Sequence, residues 1–169
     1  MQAVDVIVAT GGTAMVKAAY SSGKPAHGVG PGNVQVIVDR NMDLADTAKK
    51  VLDGRCFDHG IICSCEQSVH YPLEEERTVW QSLEAAGGLL FHEPDDIATL
   101  RDVLFPQGSM SRTLIGQSVQ AIGKAMGLEI PPEKRALLIA GTLRFDDPLR
   151  REKMFPVLTL FPYLSLIHI

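Results

Sequence analysis

The sequence predicts an α/β sheet protein. Three observations carry that expectation: short β-branched apolar runs recur along the chain, amphipathic stretches with helical spacing lie between them, and glycine-rich turns mark the changeovers. Residues 4–9 (VDVIVA) form the first strand candidate, and after Gly11-Gly12 residues 13–21 read as a short helix stopped by Gly23 and Pro25. Residues 27–33 (HGVGPGN) carry too much glycine to be regular, whereas 34–38 (VQVIV) suit a buried strand. Asn41 is placed to cap a helix over 42–54, with Leu44, Ala48, Val51 and Leu52 as its apolar stripe and Lys49 and Lys50 facing water. A strand at 68–71, a helix at 73–86 ended by Gly87-Gly88 and a strand at 89–92 continue the alternation. Helices follow at 95–104 and 117–126, then strands at 136–140 and 156–160, with a loop around Asp146-Asp147-Pro148 between the last two. No internal repeat or low-complexity tract interrupts the pattern.

The 169 residues carry 16 basic and 20 acidic side chains, a net charge of −4, with the positives scattered. No nucleic-acid footprint is expected, and small-molecule chemistry is. No run approaches the roughly 18 apolar residues of a membrane span, and no charged segment leads into a signal-type apolar stretch. The expectation is a cytoplasmic protein with no membrane partner. The strand that begins almost at residue one suggests a gene fragment, and residues 164–169 (LSLIHI) match a translated sequencing-adaptor end and are read as a non-native tail.

Four segments can carry chemistry. Thr10 to Thr13 (TGGT) combine glycines that let backbone approach a ligand with a helix start that offers free N–H groups to a phosphate, although tight strand-to-helix packing alone would also ask for glycine. Cys63 lies within 57–69 (FDHGIICSCEQSV), between a helix and a strand, where a thiol can open onto a cleft and act as a nucleophile once it has thiolate character. Cys56 falls on the apolar side of the preceding helix and is expected in the core; Cys65 could bridge to Cys63, ligate a metal or do neither. His59 is a candidate helper but reads more simply as a turn residue. Cys63, Cys65, His59 and His70 lack the paired spacing of a zinc site, so no metal is expected. Residues 28–33 (GVGPGN) and 151–158 (REKMFPVL) are the remaining two; by composition Glu152 is a solvated residue.

Taken in order, the stretches 4–33, 57–69 and 152–158 resemble the coenzyme-A-acylating branch of the aldehyde dehydrogenase superfamily. The resemblance covers residues 4–163 and implies the aldehyde dehydrogenase-like fold: residues 1–28 as the end of a Rossmann-like NAD(P)-binding domain, 29–163 as a partial catalytic domain and 164–169 as the tail. It implies an oxidoreductase that converts a small aldehyde, NAD or NADP and coenzyme A to an acyl-CoA, as a homo-oligomer when whole. Cys63 matches the catalytic nucleophile. Thr10, Gly11, Gly12 and Thr13 match the cofactor pyrophosphate turn, and Glu152 matches a glutamate that binds the nicotinamide-side ribose. Gly28 stands in the cofactor loop where hydrolytic relatives carry the glutamate that activates water, which favours thiolysis by coenzyme A. Departures are His59 for asparagine, Cys65 for glycine or alanine, and Thr13-Ala14 for proline-glycine. With the remaining cofactor strands and the oxyanion-binding asparagine expected upstream, the 169-residue chain alone is expected to be inactive. The rival expectations are a hydrolytic aldehyde dehydrogenase and a non-enzymatic thiol or metal-binding domain.

Overall fold

A computed structural model describes residues 1–168, with backbone alone for His168, and divides the chain into two compact units, Met1–Gly32 and Asn33–Ile169. The last residue of the expected tail, Ile169, lies outside the described residues.

The first unit is a strand–helix–strand motif. Strand β1 (Ile7–Thr10) leads through Gly11-Gly12 into α1 (Thr13–Tyr20), and β2 (Ala26–Val29) returns parallel to β1 with Ile7 opposite Ala26 and Thr10 opposite Val29. Strand β2 occupies part of the stretch expected to be irregular. Pairing with β1 supplies the hydrogen bonds that its glycine content disfavours, and packing demands the glycine: a Cβ on Gly28 would stand 2.7 Å from Val16 Cγ1 and 2.9 Å from Tyr20 Cε2. Ile7, Ala9 and Ala19 are buried, with Ala26 packed against them.

The second unit is a five-stranded sheet in the order β3-β4-β7-β6-β5. Its strands are β3 (Val34–Ile37), β4 (Glu66–Pro72), β5 (Gly88–Phe91), β6 (Ala136–Ala140) and β7 (Val157–Tyr163), and every neighbouring pair is parallel. Helices α2 (Leu44–Cys56) and α3 (Glu76–Ala85) cover one face, and α4 (Pro94–Leu104) and α5 (Val119–Met126) the other. The period-two alternation of strands sorts the core. Ala136, Leu138 and Ala140 pack with α2 and α3, while Leu137 and Ile139 pack with α4 and α5. All five residues of β6 are buried, as a strand covered on both faces requires.

The helix ends follow local chemistry. The α2 cap is Asp43 rather than Asn41: its carboxylate accepts the Ala45 and Asp46 N–H groups at 3.1 Å each, while Asn41 turns the chain in the left-handed region at φ 64°. Pro94 opens α4, and Gly127, at φ 76°, closes α5. Between β6 and β7 the chain crosses with only a single 3₁₀ turn, Pro148–Arg150, so this loop needs another anchor. Asp147 provides it, accepting from Arg101 Nη2 at 2.8 Å and Nε at 3.0 Å and from the Leu149 N–H at 2.9 Å. Its side chain is only 5% exposed, so these bonds are poorly replaced by water. Asp147→Ala is expected to cost about 1–3 kcal/mol of stability, read as a lower urea midpoint at unchanged slope; an unchanged midpoint would refute this anchoring role.

Candidate active site

The Cys63 turn is built by a helix that ends abruptly and a chain that reverses three times in the left-handed region. After α2, Asp58, His59 and Gly60 adopt φ values of 47°, 53° and 76°. The first two pay for this conformation, at roughly 1 kcal/mol or more each. Gly60 cannot be replaced cheaply, because a Cβ there would lie 2.6 Å from the Phe155 carbonyl oxygen and 2.7 Å from Arg55 Nη2. The reversal delivers residues 61–65 to the amino end of β4. There the Cys65 N–H donates to the Ile62 carbonyl at 3.0 Å, closing a four-residue turn with Cys63 in its second position. Cys63 is exposed, and so are its apolar neighbours Phe57, Ile61 and Ile62.

Two buried cations lie beneath this turn. Arg55 is fully buried; its Nη1 donates to the Glu66 carbonyl at 2.7 Å and its Nη2 to the carbonyls of Gly60 at 3.3 Å, Lys153 at 2.5 Å and Phe155. Lys153 is equally buried, and its Nζ donates to the carbonyls of Gln67 at 3.0 Å, Leu149 at 2.9 Å and Arg151 at 3.1 Å. Three acceptors take the three protons of an ammonium. The Gln67 side chain completes the clamp by accepting the Lys153 N–H at 2.8 Å. Burial lowers the Arg55 pKa to about 10 and takes that of Lys153 well below its ordinary value, with the Arg55 charge acting in the same direction on Lys153. The bonds join the segment around Cys63 to the segment containing Glu152, because β4 and β7 are neighbours and both segments enter the sheet at its amino edge. Glu152 itself is half-buried and lies near enough for its charge to favour the Arg55 cation.

The other two thiols are set apart by burial. Cys56, expected in the core, is only partly buried; it packs against the α2–α3 core and donates to the Arg135 carbonyl at 3.3 Å, and burial pushes its pKa up to about 11. Cys65 is 3% exposed and burial also raises its pKa. His59 is exposed and makes no hydrogen bond to Cys63 among the described residues. Among those residues, no group of three or more His, Cys, Asp or Glu side chains could hold a metal ion. No helix of the described residues is long and apolar enough to cross a membrane. An open cleft of about 800 Å³, lined by His92, Arg101, Thr142 and Asp147, lies at the opposite, carboxyl edge of the sheet and does not include Cys63.

In the first unit, Thr10 closes β1, Gly11 donates to the Val29 carbonyl at 3.1 Å and Gly12 is the residue preceding α1. No side chain caps this helix start and no acidic residue occupies its first turn. The Met15 N–H donates to the Gly12 carbonyl at 3.0 Å, which leaves the Thr13 and Ala14 N–H groups without intrahelical partners at an end of the helix where anions are favoured. Gly12 has open space where a Cβ would stand. A helix start of this kind can receive an anion, and Thr13 adds a hydroxyl in its first turn.

Arg55, Gln67 and Lys153 went unnoticed in the sequence, although one signal was there. Arg55 follows Val51 by four residues and Leu52 by three, which places a charged residue on the apolar stripe of α2.

No protein-family model matches the chain. The solved structures nonetheless assign the class: the fold is that of the aldehyde dehydrogenases. An acetylating aldehyde dehydrogenase from Geobacillus thermoglucosidasius superposes with a TM-score of 0.91 at 32% identity, covering 98% of this chain and 36% of that one. More narrowly, the chain is homologous to the coenzyme-A-acylating aldehyde dehydrogenases over the stretch it spans. The succinate-semialdehyde dehydrogenase (acetylating) of Clostridium kluyveri is 42% identical over 164 residues, 96% of this chain and 36% of that protein. The chain thus spans about a third of the length of such relatives. A Rhodopseudomonas palustris propionaldehyde dehydrogenase with bound CoA and an acylated cysteine matches at 25% identity and TM-score 0.88, over 98% of this chain and 38% of that one. An engineered glycolyl-CoA reductase with bound NADP+ matches at 26% identity and TM-score 0.89, over 98% and 37%.

Two outcomes test the geometry. Iodoacetamide should label Cys63 well ahead of the other thiols, with Cys56 labelling rising about tenfold per pH unit until pH reaches about 11; peptide mapping that finds Cys56 labelled as fast as Cys63 at neutral pH would contradict it. Arg55→Met removes a donor from four carbonyls, of which that of Phe155 keeps the Val157 N–H at 2.7 Å, and should cost about 3–5 kcal/mol, seen as a large drop in thermal midpoint; a drop equivalent to less than about 1 kcal/mol would show that the clamp is dispensable.

Proposed function

We propose that the protein carrying this chain oxidises a small aldehyde with NAD or NADP and transfers the acyl group to coenzyme A, using Cys63 as the nucleophile. The observation that carries this is the exposed Cys63 thiol at the tip of a rigidly anchored turn, in a chain homologous to a dehydrogenase whose own cysteine is acylated. In the first step the Cys63 thiolate adds to the aldehyde carbon, forming a carbon–sulfur bond and a thiohemiacetal. Phe57, Ile61 and Ile62, exposed in the same segment as Cys63, are apolar and suit a small organic substrate. Bound nicotinamide supplies the hydride acceptor for this reaction. Cys63 then carries the acyl group as a thioester until the coenzyme A thiolate attacks the carbonyl carbon and Cys63 leaves as a thiolate.

The chain's other candidate residues serve binding. Thr10, Gly11, Gly12 and Thr13 receive the pyrophosphate at the start of α1, and Glu152 holds the ribose next to the nicotinamide. Gly28 has a packing reason of its own against Val16 and Tyr20, so the preference for coenzyme A over water is supported chiefly by the acylating relatives. Residues 1–28 contribute to the cofactor domain in this proposal and 29–163 to the catalytic one.

The test is NAD(P)H formation from acetaldehyde and its short homologues by the full-length protein, with and without coenzyme A, beside Cys63→Ala. Turnover should require coenzyme A and fall roughly 10³-fold or more in the variant. Turnover indifferent to coenzyme A would make the enzyme hydrolytic, and turnover that survives the substitution would remove Cys63 from the chemistry.

A further inference from the structure

We infer that Cys65 is a resolving partner for Cys63, so that a hydroperoxide converts the two thiols into a reversible intrachain disulfide. The inference takes from the proposed function only the nucleophilic character of Cys63. Its geometric basis is the turn itself: with the Cys65 N–H bonded to the Ile62 carbonyl at 3.0 Å, Cys63 and Cys65 occupy its second and fourth positions. Two virtual bonds bent through such a turn leave their Cα atoms about 5–6 Å apart, within the span of a disulfide.

The two thiols differ in the way an attacking and a resolving thiol differ. Cys63 is exposed and meets an oxidant first, whereas Cys65 is 3% exposed and shielded from direct oxidation. The Cys65 Sγ donates to the Phe57 carbonyl across 3.8 Å, a weak bond that a rotation about Cα–Cβ gives up at little cost. Burial disfavours the Cys65 thiolate, and the Arg55 guanidinium offsets part of that penalty.

The steps balance with a hydroperoxide as the oxidant. The Cys63 thiolate attacks the peroxide oxygen, the S–O bond forms as the O–O bond breaks, and hydroxide leaves (an alkoxide, for an organic peroxide). Cys63 is oxidised to a sulfenic acid and the peroxide is reduced. The Cys65 sulfur then attacks the Cys63 sulfur, the S–S bond forms as the S–O bond breaks, and the departing hydroxide takes the Cys65 proton to give water. A ring closed over one intervening residue, Ser64, is small and readily reopened by a dithiol. The bridge spares Cys63 from the sulfinic state, which a dithiol cannot reverse.

The experiment treats the 169-residue chain with equimolar hydrogen peroxide, blocks remaining thiols with iodoacetamide and maps peptides by mass spectrometry. The peptide containing Cys63 and Cys65 should be lighter by two hydrogens, unlabelled at both sites, and fully labelled after reduction with a dithiol. In Cys65→Ala and Cys65→Ser, dimedone should trap a sulfenic acid on Cys63, and excess peroxide should raise the sulfinic product roughly tenfold over the unsubstituted chain. Equal overoxidation with and without Cys65, a bridge from Cys63 to Cys56 or to a second chain, or an unreactive Cys63 would each overturn the inference. A bridge in a protein without aldehyde turnover would sustain it while sinking the proposed function, and turnover without a bridge would do the reverse.

Discussion

The guanidinium of Arg55 is the constraint on which the Cys63 turn depends. It reaches carbonyls of Gly60, Glu66, Lys153 and Phe155 from a single buried position, and so ties together both flanks of the cysteine turn and the entry to β7. Its hydrogen-bond partners are main-chain carbonyls. The carboxylates of Glu66 and Glu152 also lie near enough for their charges to favour the cation, and one Glu66 carboxylate oxygen is buried without a hydrogen-bond partner among the described residues. The carbonyls take Nη1 and Nη2, while the buried Nε has no hydrogen-bond partner among the described residues. The residual cost is visible in the lowered pKa values of Arg55 and Lys153, both caused first by burial.

The sheet order explains how segments nearly ninety residues apart come to share this clamp. In the order β3-β4-β7-β6-β5 the last strand inserts beside the second strand of the sheet, so the approach to β7 runs alongside the approach to β4. Both approaches lie at the amino edge, where loops arrive with unpaired carbonyls that need donors. Arg55 and Lys153 bring those donors from inside. The left-handed residues 58–60 then become intelligible, because α2 runs on to Cys56 and only an abrupt reversal delivers Cys63 to the start of β4. Strain in the turn is paid locally and held by the clamp.

Much of this was legible in the sequence and some of it was not. The strand at 136–140 and the helices around 94–104 and 119–126 stand where periodicity placed them, because continuous apolar runs and an i, i+3, i+4 stripe leave few alternatives. Cys63 stood out because of its position between a helix and a strand. Strand β2 was hidden because its residues are held by pairing with β1 rather than by their own propensity, and the cap moved from Asn41 to Asp43 because the chain turns left-handed before α2 begins. Arg55 and Lys153 were missed for a deeper reason. A pattern reading assigns charges to water, and only the tertiary arrangement reveals enough carbonyls to bury two of them.

Gly28 has a packing reason that the sequence alone does not show. Its missing side chain lets β2 lie on α1, where its N–H donates to the Tyr20 hydroxyl at 3.0 Å and any Cβ would collide with Val16 and Tyr20. That requirement is sufficient to fix glycine there without reference to catalysis. A strand that must carry glycine for packing cannot also present a carboxylate at that position.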